Sequence, residues 1–305
     1  GIPTGDSVVS ASTALSISPF WAGVTLISEA MATMPCKVWR TRDGGGRDWA
    51  DQHPTNYALM KTNNGWMVPA VFKSLAQGCT LLSGNSVSEI VRNGRGQCAQ
   101  LHPWLPKATM YGADDNDNPL YGVIPGTDLP NHLSRGYNSF QPEWFPHTEV
   151  LHIKGFSTDG YLGLAVLQQA RSSLSLAKKI EIFGDKYYSM GRPAGFLTKE
   201  GRMGVPERDL LRQEWKELYE GVQNALSVGV LSNGLDWKQM GYSNQDAQFL
   251  ENRAYSVLEV ARWLRVPPMM LGDLSNSTEA NIEQLMLYFI MYTLLPWMTR
   301  WEEEM

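Results

Sequence analysis

Histidines, cysteines and one acidic run are the residues of this sequence that could do covalent or metal chemistry, and their spacing argues against it. His53, His102, His132, His147 and His152 fall in separate predicted elements. The nearest pair, His147 and His152, lies in a loop and a strand without cysteine partners, so a zinc site there would need ligands from elsewhere. Cys36, Cys79 and Cys98 are far apart, odd in number and lack C-x-x-C spacing, which predicts reduced thiols in a reducing compartment. Asp114-Asp115-Asn116-Asp117-Asn118 lacks the glycine and terminal glutamate of an EF-hand and reads as a solvated hairpin tip. Glu302-Glu303-Glu304 reads as a solvated helix tail rather than an acid-base pair. The sequence has no G-x-x-x-x-G-K-[ST], no G-x-G-x-x-G after a strand, no G-x-S-x-G and no H-E-x-x-H. No catalytic residue, metal ligand or cofactor is predicted, and the chain is expected not to be an enzyme.

Composition narrows the remaining classes. At 305 residues the chain can bury a large core, as two domains or one with insertions. A 43% hydrophobic fraction excludes disorder for the chain as a whole. The 31 acidic residues outnumber the 26 basic ones, so no global positive field draws the chain onto phosphate; this disfavours a tight grip on nucleic acid but not proximity to it. No stretch approaches the ~20 apolar residues of a membrane span, and no basic segment precedes an apolar run at the start, which predicts a soluble, unsecreted protein. Eleven tryptophans are enough to fill a core and still serve interfaces.

The elements that would carry these residues follow from periodicity and punctuation. Residues 1–12 are small and polar and are expected to be poorly ordered. Ser18-Pro19 caps a helix bearing Phe20, Val24, Ile27, Met31 and Met34, followed by a strand over 36–39 and a glycine turn at 43–46. Helices are predicted after Pro54 and Pro69, then hairpins about Asn93-Gly94-Arg95-Gly96 and the Asp114 run, and a strand over 150–154. A long helix is predicted over 163–191, with Leu167, Ala170, Leu174, Ala177, Glu181 and Gly184 in steps of 3 and 4. A mixed segment follows: a strand near 195–198, a polar helix over 206–221, and strands on either side of Asn233-Gly234. Ser243 caps a second long helix that stops at Pro267-Pro268. A Ser, Asn and Asp loop runs to about Ala280. A last helix carries Ile282, Leu285, Phe289 and Leu294, with a kink at Pro296. It is still in helical register at Met305, which predicts that this helix is cut short.

An ordered set of signatures runs through the chain. It includes Met34-Pro35 before Val38-Trp39, His53-Pro54, Asn63-Asn64-Gly65, Leu82-Ser83-Gly84-Asn85-Ser86, Leu101-His102-Pro103-Trp104 and Val150-Leu151-His152-Ile153-Lys154 with Asp159-Gly160 and Gly163. It continues with Gly191-Arg192-Pro193-Ala194-Gly195, the run from Ser243 to Glu251, Val266-Pro267-Pro268 and Asn281-Ile282-Glu283-Gln284 before Leu295-Pro296-Trp297. In this order, from about Thr13 to the end, the chain resembles the portal proteins of long-tailed, siphovirus-type bacteriophages and prophages.

The resemblance implies an α+β portal fold: an α/β wing (1–162), a first stem helix (163–191), a small mixed clip (192–242), a second stem helix (243–266), a tunnel loop (267–280) and a following helix (281–305). The family's crown is absent here. It also implies a function: a homo-oligomeric ring, a dodecamer, at one capsid vertex of the virion, assembled in the bacterial cytoplasm. That ring would pass double-stranded DNA during packaging and ejection and dock the large subunit of terminase, the major capsid protein and head-tail connector proteins, with no membrane and no cofactor. The tunnel loop, with Pro267, Pro268, Leu271, Ser275, Asn276, Ser277, Thr278 and Asn281, would touch the duplex without holding it, because non-specific affinity comes chiefly from cations on phosphate. Lys178, Lys179, Lys186 and Arg192 are a solvated helix face in one chain; around a ring they would form a belt of charge. The rivals are a non-ring scaffold and a metal-dependent nuclease.

Overall fold

Prolines set the helix starts, because position N1 or N2 has no intrahelical partner for an N–H and proline's fixed φ suits it. The computed structural model describes residues 10–124, 142–189, 195–199, 204, 206, 209–210, 213, 235–239, 244–275 and 279–305, and the backbone alone at 186–189, 195–199, 235–239, 244–250 and 279–281. Pro19, Pro54 and Pro69 each sit in the first turn of a helix: α2 (Ser18–Thr33), α3 (Pro54–Met60) and α4 (Pro69–Ser83). Order begins earlier than the sequence predicts. Ser10 Oγ accepts the Thr13 N–H at 3.2 Å and caps a short helix α1 (Ala11–Leu15), so residues 10–12 belong to structure.

Helices α2 and α4 pack together through Phe20, Val24 and Ile27 on one side and Phe72, Ala76 and Leu81 on the other, all buried. Between them in chain order comes the exposed hairpin β1 (Trp39–Thr41) and β2 (Arg47–Trp49), turned by Gly45 and Gly46. The strand starts at Trp39, not at Cys36 as predicted. The Asn56 carboxamide takes the Val38 N–H at 2.9 Å, which removes that donor from the ladder.

Two three-stranded antiparallel sheets complete this part. One has the order β4 (Cys98–Pro103), β3 (Asn85–Arg92), β8 (Val150–Lys154), and the other β5 (Thr109–Ala113), β6 (Pro119–Val123), β7 (Glu143–Pro146). Both hairpins fall where the turn residues place them. Strand β7 has no counterpart in the sequence reading, because proline at both flanks, Pro142 and Pro146, marks an edge or a loop. Val87, Trp104, Tyr121 and Val150 form a buried cluster between the sheets, extended by Val123 and Phe145, with the Trp104 and Phe145 rings 5.3 Å apart. Burying side chains of this size contributes about 2 kcal/mol each.

The predicted helix over 163–191 is broken. Helix α5 (Val166–Gln169) stops at Ala170, and α6 (Arg171–Ser189) starts afresh. Gly163 is not helical: it bridges Ser157, and its backbone lies so close to Gly84 that a Cβ on Gly84 would sit 2.1 Å from the Gly163 oxygen. Gly84 also has φ +84, at the C-cap of α4, which disfavours any other residue there.

Contacts divide the chain into one unit of Gly1–Leu174 with Val257–Met305 and a second of Ser175–Ser256. The second holds the antiparallel pair β9 (Gly195–Lys199) and β10 (Leu235–Gln239). Of the helix predicted over 206–221, residues 206, 209, 210 and 213 are helical; its remainder, the strand before Asn233 and the Ser243 cap lie outside the described residues. Helix α7 (Asn244–Leu264) runs from the second unit into the first.

The last helix begins at Glu279, two residues earlier than the sequence reading. It runs as α8 (Glu279–Phe289), a π-helical turn (Ile290–Leu294) and α9 (Leu295–Glu304), with the Leu295 N–H donating to the Ile290 carbonyl. A π turn precedes the proline: Pro296 has no N–H to offer four residues back, and one extra residue in the turn relieves the crowding its ring would cause. Helix α9 packs against β8 and reaches α4 through the side chain of Trp301. Buried Trp301 donates from Nε1 to Gln77 Oε1 at 3.0 Å and meets Phe72 edge-on, and Lys154 pairs with Glu304 at 3.3 Å.

Candidate functional site

The segment proposed from sequence as a loop starts as folded backbone. Helix α7 ends on Arg265, held at φ +58, with the Val266 N–H donating to Ala261 O at 2.9 Å and the Thr293 hydroxyl donating to the Arg265 carbonyl. Pro267 is buried, and Pro268–Leu271 forms a 3-10 turn capped by Gly272 at φ +90. Leu264 and Leu271 reach α2 at Gly23: a Cβ there would sit 2.3 Å from Leu264 Cδ1 and 3.4 Å from Leu271 Cδ2. Beyond the turn, the Asp273 carboxylate accepts the Ser275 N–H at 3.0 Å and its hydroxyl at 2.6 Å, and these bonds hold the carboxyl below its ordinary range. Asn276, Ser277 and Thr278 lie outside the described residues, and Asn281 is placed by its backbone alone, in the first turns of α8.

The predicted cationic face is partly neutralised. Lys178 pairs with Glu181 at 3.2 Å, one helical turn on. Lys179 is exposed and also engaged. The Lys186 side chain and Arg192 lie outside the described residues.

His53, His102 and His152 are held in hydrogen bonds. His53 caps α3, its Nδ1 accepting the Thr55 N–H at 3.3 Å, and His102 Nε2 lies 2.9 Å from Gln100 Oε1. His132 lies outside the described residues. His152 is buried with both ring nitrogens occupied, Nδ1 2.9 Å from the Tyr121 hydroxyl and Nε2 2.9 Å from Asn85 Oδ1. Asn85 Nδ2 donates to the Gly163 carbonyl at 3.1 Å and Asn85 Oδ1 accepts the Gly163 N–H at 2.8 Å, so Oδ1 faces the imidazole. The imidazole proton is therefore on Nε2, and Nδ1 accepts from Tyr121. Burial first, then the nearby Lys154 charge, pushes the His152 pKa down to about 3. The chain of bonds ties β6, β8, the start of β3 and the backbone leading to α5. Sequence reading missed it because its members are separated by 31 and 67 residues.

Two acidic turns are closed on themselves. Asp114 accepts the N–H groups of Asn116 and Asn118, each at 2.8 Å, and the Asn118 amide at 2.9 Å. Asp159 accepts the N–H groups of Tyr161 and Leu162 and the Ser157 hydroxyl, an arrangement that shapes the Asp159-Gly160 loop. The thiols are free, and burial pushes Cys79 up to about 11, away from thiolate chemistry at neutral pH.

A family model described as phage portal protein matches residues 18–305. The chain belongs to the phage portal protein family. The portal protein of Enterobacteria phage HK97 is 29% identical over 303 residues, covering 98% of this chain and 68% of that one. The probable portal protein of Streptomyces phage phiC31 is 26% identical over 295 residues, covering 95% of this chain; this chain spans only 63% of that relative's length. Among solved structures, the neck of an empty gene transfer agent (GTA) particle computed with C6 symmetry gives a TM-score of 0.70 at 25% identity, covering 96% of this chain and 78% of its own. The neck of the native particle computed with C12 symmetry gives 0.64, also at 25% identity, over 98% of this chain and 80% of its own. A portal protein from Corynebacterium diphtheriae shares the fold, with a TM-score of 0.56 at 15% identity over 99% of this chain and 90% of its own. The mixed helix and strand architecture is thus a portal fold.

Proposed function

We propose that this chain is a protomer of the portal ring at one vertex of a phage head, a structural rather than catalytic component of the virion. The match of a portal family model over residues 18–305, together with the likeness to a neck computed with C12 symmetry, carries the reading. In it, residues 1–162 are the wing, 163–191 and 243–266 the stem helices, 192–242 the clip, 267–280 the tunnel loop, and 281–305 the helix that leads on towards a crown. The ring passes double-stranded DNA during packaging and ejection, docks the large subunit of terminase through the clip, and later binds head-tail connector proteins within the capsid.

Two physical features support it. The acidic balance gives no global field that would hold a polyanion in a channel. The turn from Pro268 to Gly272 is fixed to α2, so the first part of the proposed tunnel loop has a rigid base. Negative-stain images of the purified protein, with mass measurement, test the reading directly. Rings with a central hole are expected, and a monomer at every concentration overturns it.

A further inference from the structure

The second half of helix α8 and its π turn, Leu285 to Leu294, carry no polar group beyond the hydroxyls of Tyr288, Tyr292 and Thr293. From Gln284 to Thr299 there is no charged residue. Phe289, Thr293 and Leu294 are buried against the rest of their unit. The other faces carry Met286, Leu287, Tyr288, Ile290, Met291 and Tyr292, each between 47% and 58% exposed. A helix that is apolar on every side is a buried helix, and in this chain taken singly it is not buried.

Six half-exposed side chains of this size leave on the order of 600 Å² bare, the upper end of what a monomer tolerates. A standard interface takes about 800 Å² from each partner. The composition is that of an interface centre, with tyrosine and methionine present and lysine and glutamate absent. The Tyr288 and Tyr292 ring centroids lie 4.7 Å apart with the planes tilted by 42°, which places two large rigid groups side by side on this face. Nucleic acid does not fit a stretch without a cation. Nor does a membrane: the 16 uncharged residues are shorter than the ~20 of a span, and no helix among the described residues is long and apolar enough to cross one.

We infer that the face Met286 to Tyr292 is the surface on which the next copy of this chain seats, and that it docks against that copy's residues 57–71. The inference rests on the ring proposed above. Rotational rings join two different patches head to tail, and residues 57–71 supply a second one in the same unit. Tyr57, Trp66, Val68 and Val71 are each more than half exposed there.

The test replaces Leu287→Glu and Met291→Lys together, two exposed positions where both new residues favour helix. Circular dichroism and urea denaturation check that the fold is kept. The concentration for half-assembly, measured by mass photometry, is expected to rise on the order of 100-fold. Rings that persist unchanged in the variant overturn this face while leaving the ring itself intact. A wild-type chain that stays monomeric overturns the ring, and the inference with it. A photo-crosslinking amino acid at Met291 gives a second reading that does not depend on the variant. It should produce a ladder of multimers whose crosslinks map to residues 57–71, while the same group at the exposed hairpin residue Asn116 should give none. Crosslinks elsewhere on the neighbour overturn the docking partner named here.

Discussion

Neither hydrogen-bond partner of His152, the Tyr121 hydroxyl or the Asn85 amide, carries a negative charge to stabilise a second proton on the ring. Unfolded, an imidazole takes one up near pH 6.5; folded, His152 resists until about pH 3, because burial and Lys154 disfavour the cation. Between those values the unfolded state binds more protons, so the stability contribution is complete above pH 6.5 and is lost as pH falls below it, on the order of 4 kcal/mol by the lower end. The hydrogen-bonded carboxylates of Asp114, Asp159 and Asp273 titrate lower, their pKa values being depressed from 3.8, so they leave the window from pH 6.5 to 4.5 to the histidine. Urea denaturation is expected to show stability falling across that window, and His152→Gln is expected to flatten the slope. An unchanged slope in the variant would assign the acid sensitivity elsewhere. Gly84 offers a test of a different kind. Gly84→Ala adds a methyl 2.1 Å from the Gly163 oxygen at φ +84, so it should cost more than ~3 kcal/mol in the same measurement, and a loss below ~1 kcal/mol would show that the crossing can open cheaply.

At the scale of elements, Pro296 and the π turn act together. Removing Met291 would return residues 290–294 to ordinary α winding while keeping Trp301 on the Gln77 side, since a π turn is one inserted residue. Pro296 would then face a carbonyl four residues back that it can neither pair nor avoid, at a cost of ~3 kcal/mol. The Met291 deletion should therefore be less stable by about that amount than the same deletion combined with Pro296→Ala, as read by urea denaturation. Equal stabilities would mean that the π turn has another cause. This arrangement was not readable in the sequence, where a proline inside an apolar periodicity signals only a bend. The helices after Pro19, Pro54 and Pro69 and the hairpins at Gly94 and Asp114 were readable, because start signal, period and turn chemistry agree locally. The break at Ala170 and strand β7 were not, because each depends on a distant partner: the Gly84 and Gly163 crossing for the first, the ladder to β6 for the second. The bonds that join Tyr121, His152 and Asn85 were hidden for the same reason.

For the whole molecule, the decisive quantity is how strongly a proposed DNA conduit holds DNA. A channel that must let a duplex slide in both directions cannot neutralise many phosphates, because each lysine or arginine on a phosphate releases counterions and adds affinity. The chain has an excess of five acidic residues, and Lys178, the first of the lysines on α6, is already paired with Glu181. The apolar face of α8 adds nothing for phosphate. The assembled protein should therefore bind a 30-base-pair duplex weakly, with the logarithm of the association constant falling by less than about 3 per tenfold increase in salt, as fluorescence anisotropy would show between 50 and 200 mM salt. A slope of about −6 or steeper would mean that several cations line the path and sit on phosphates, and the belt of Lys178, Lys179, Lys186 and Arg192 would then be where to look. Lys178→Gln and Lys179→Gln together should leave a shallow slope almost unchanged, whereas in a gripping channel they would make it shallower by about 1 for each phosphate that is no longer neutralised.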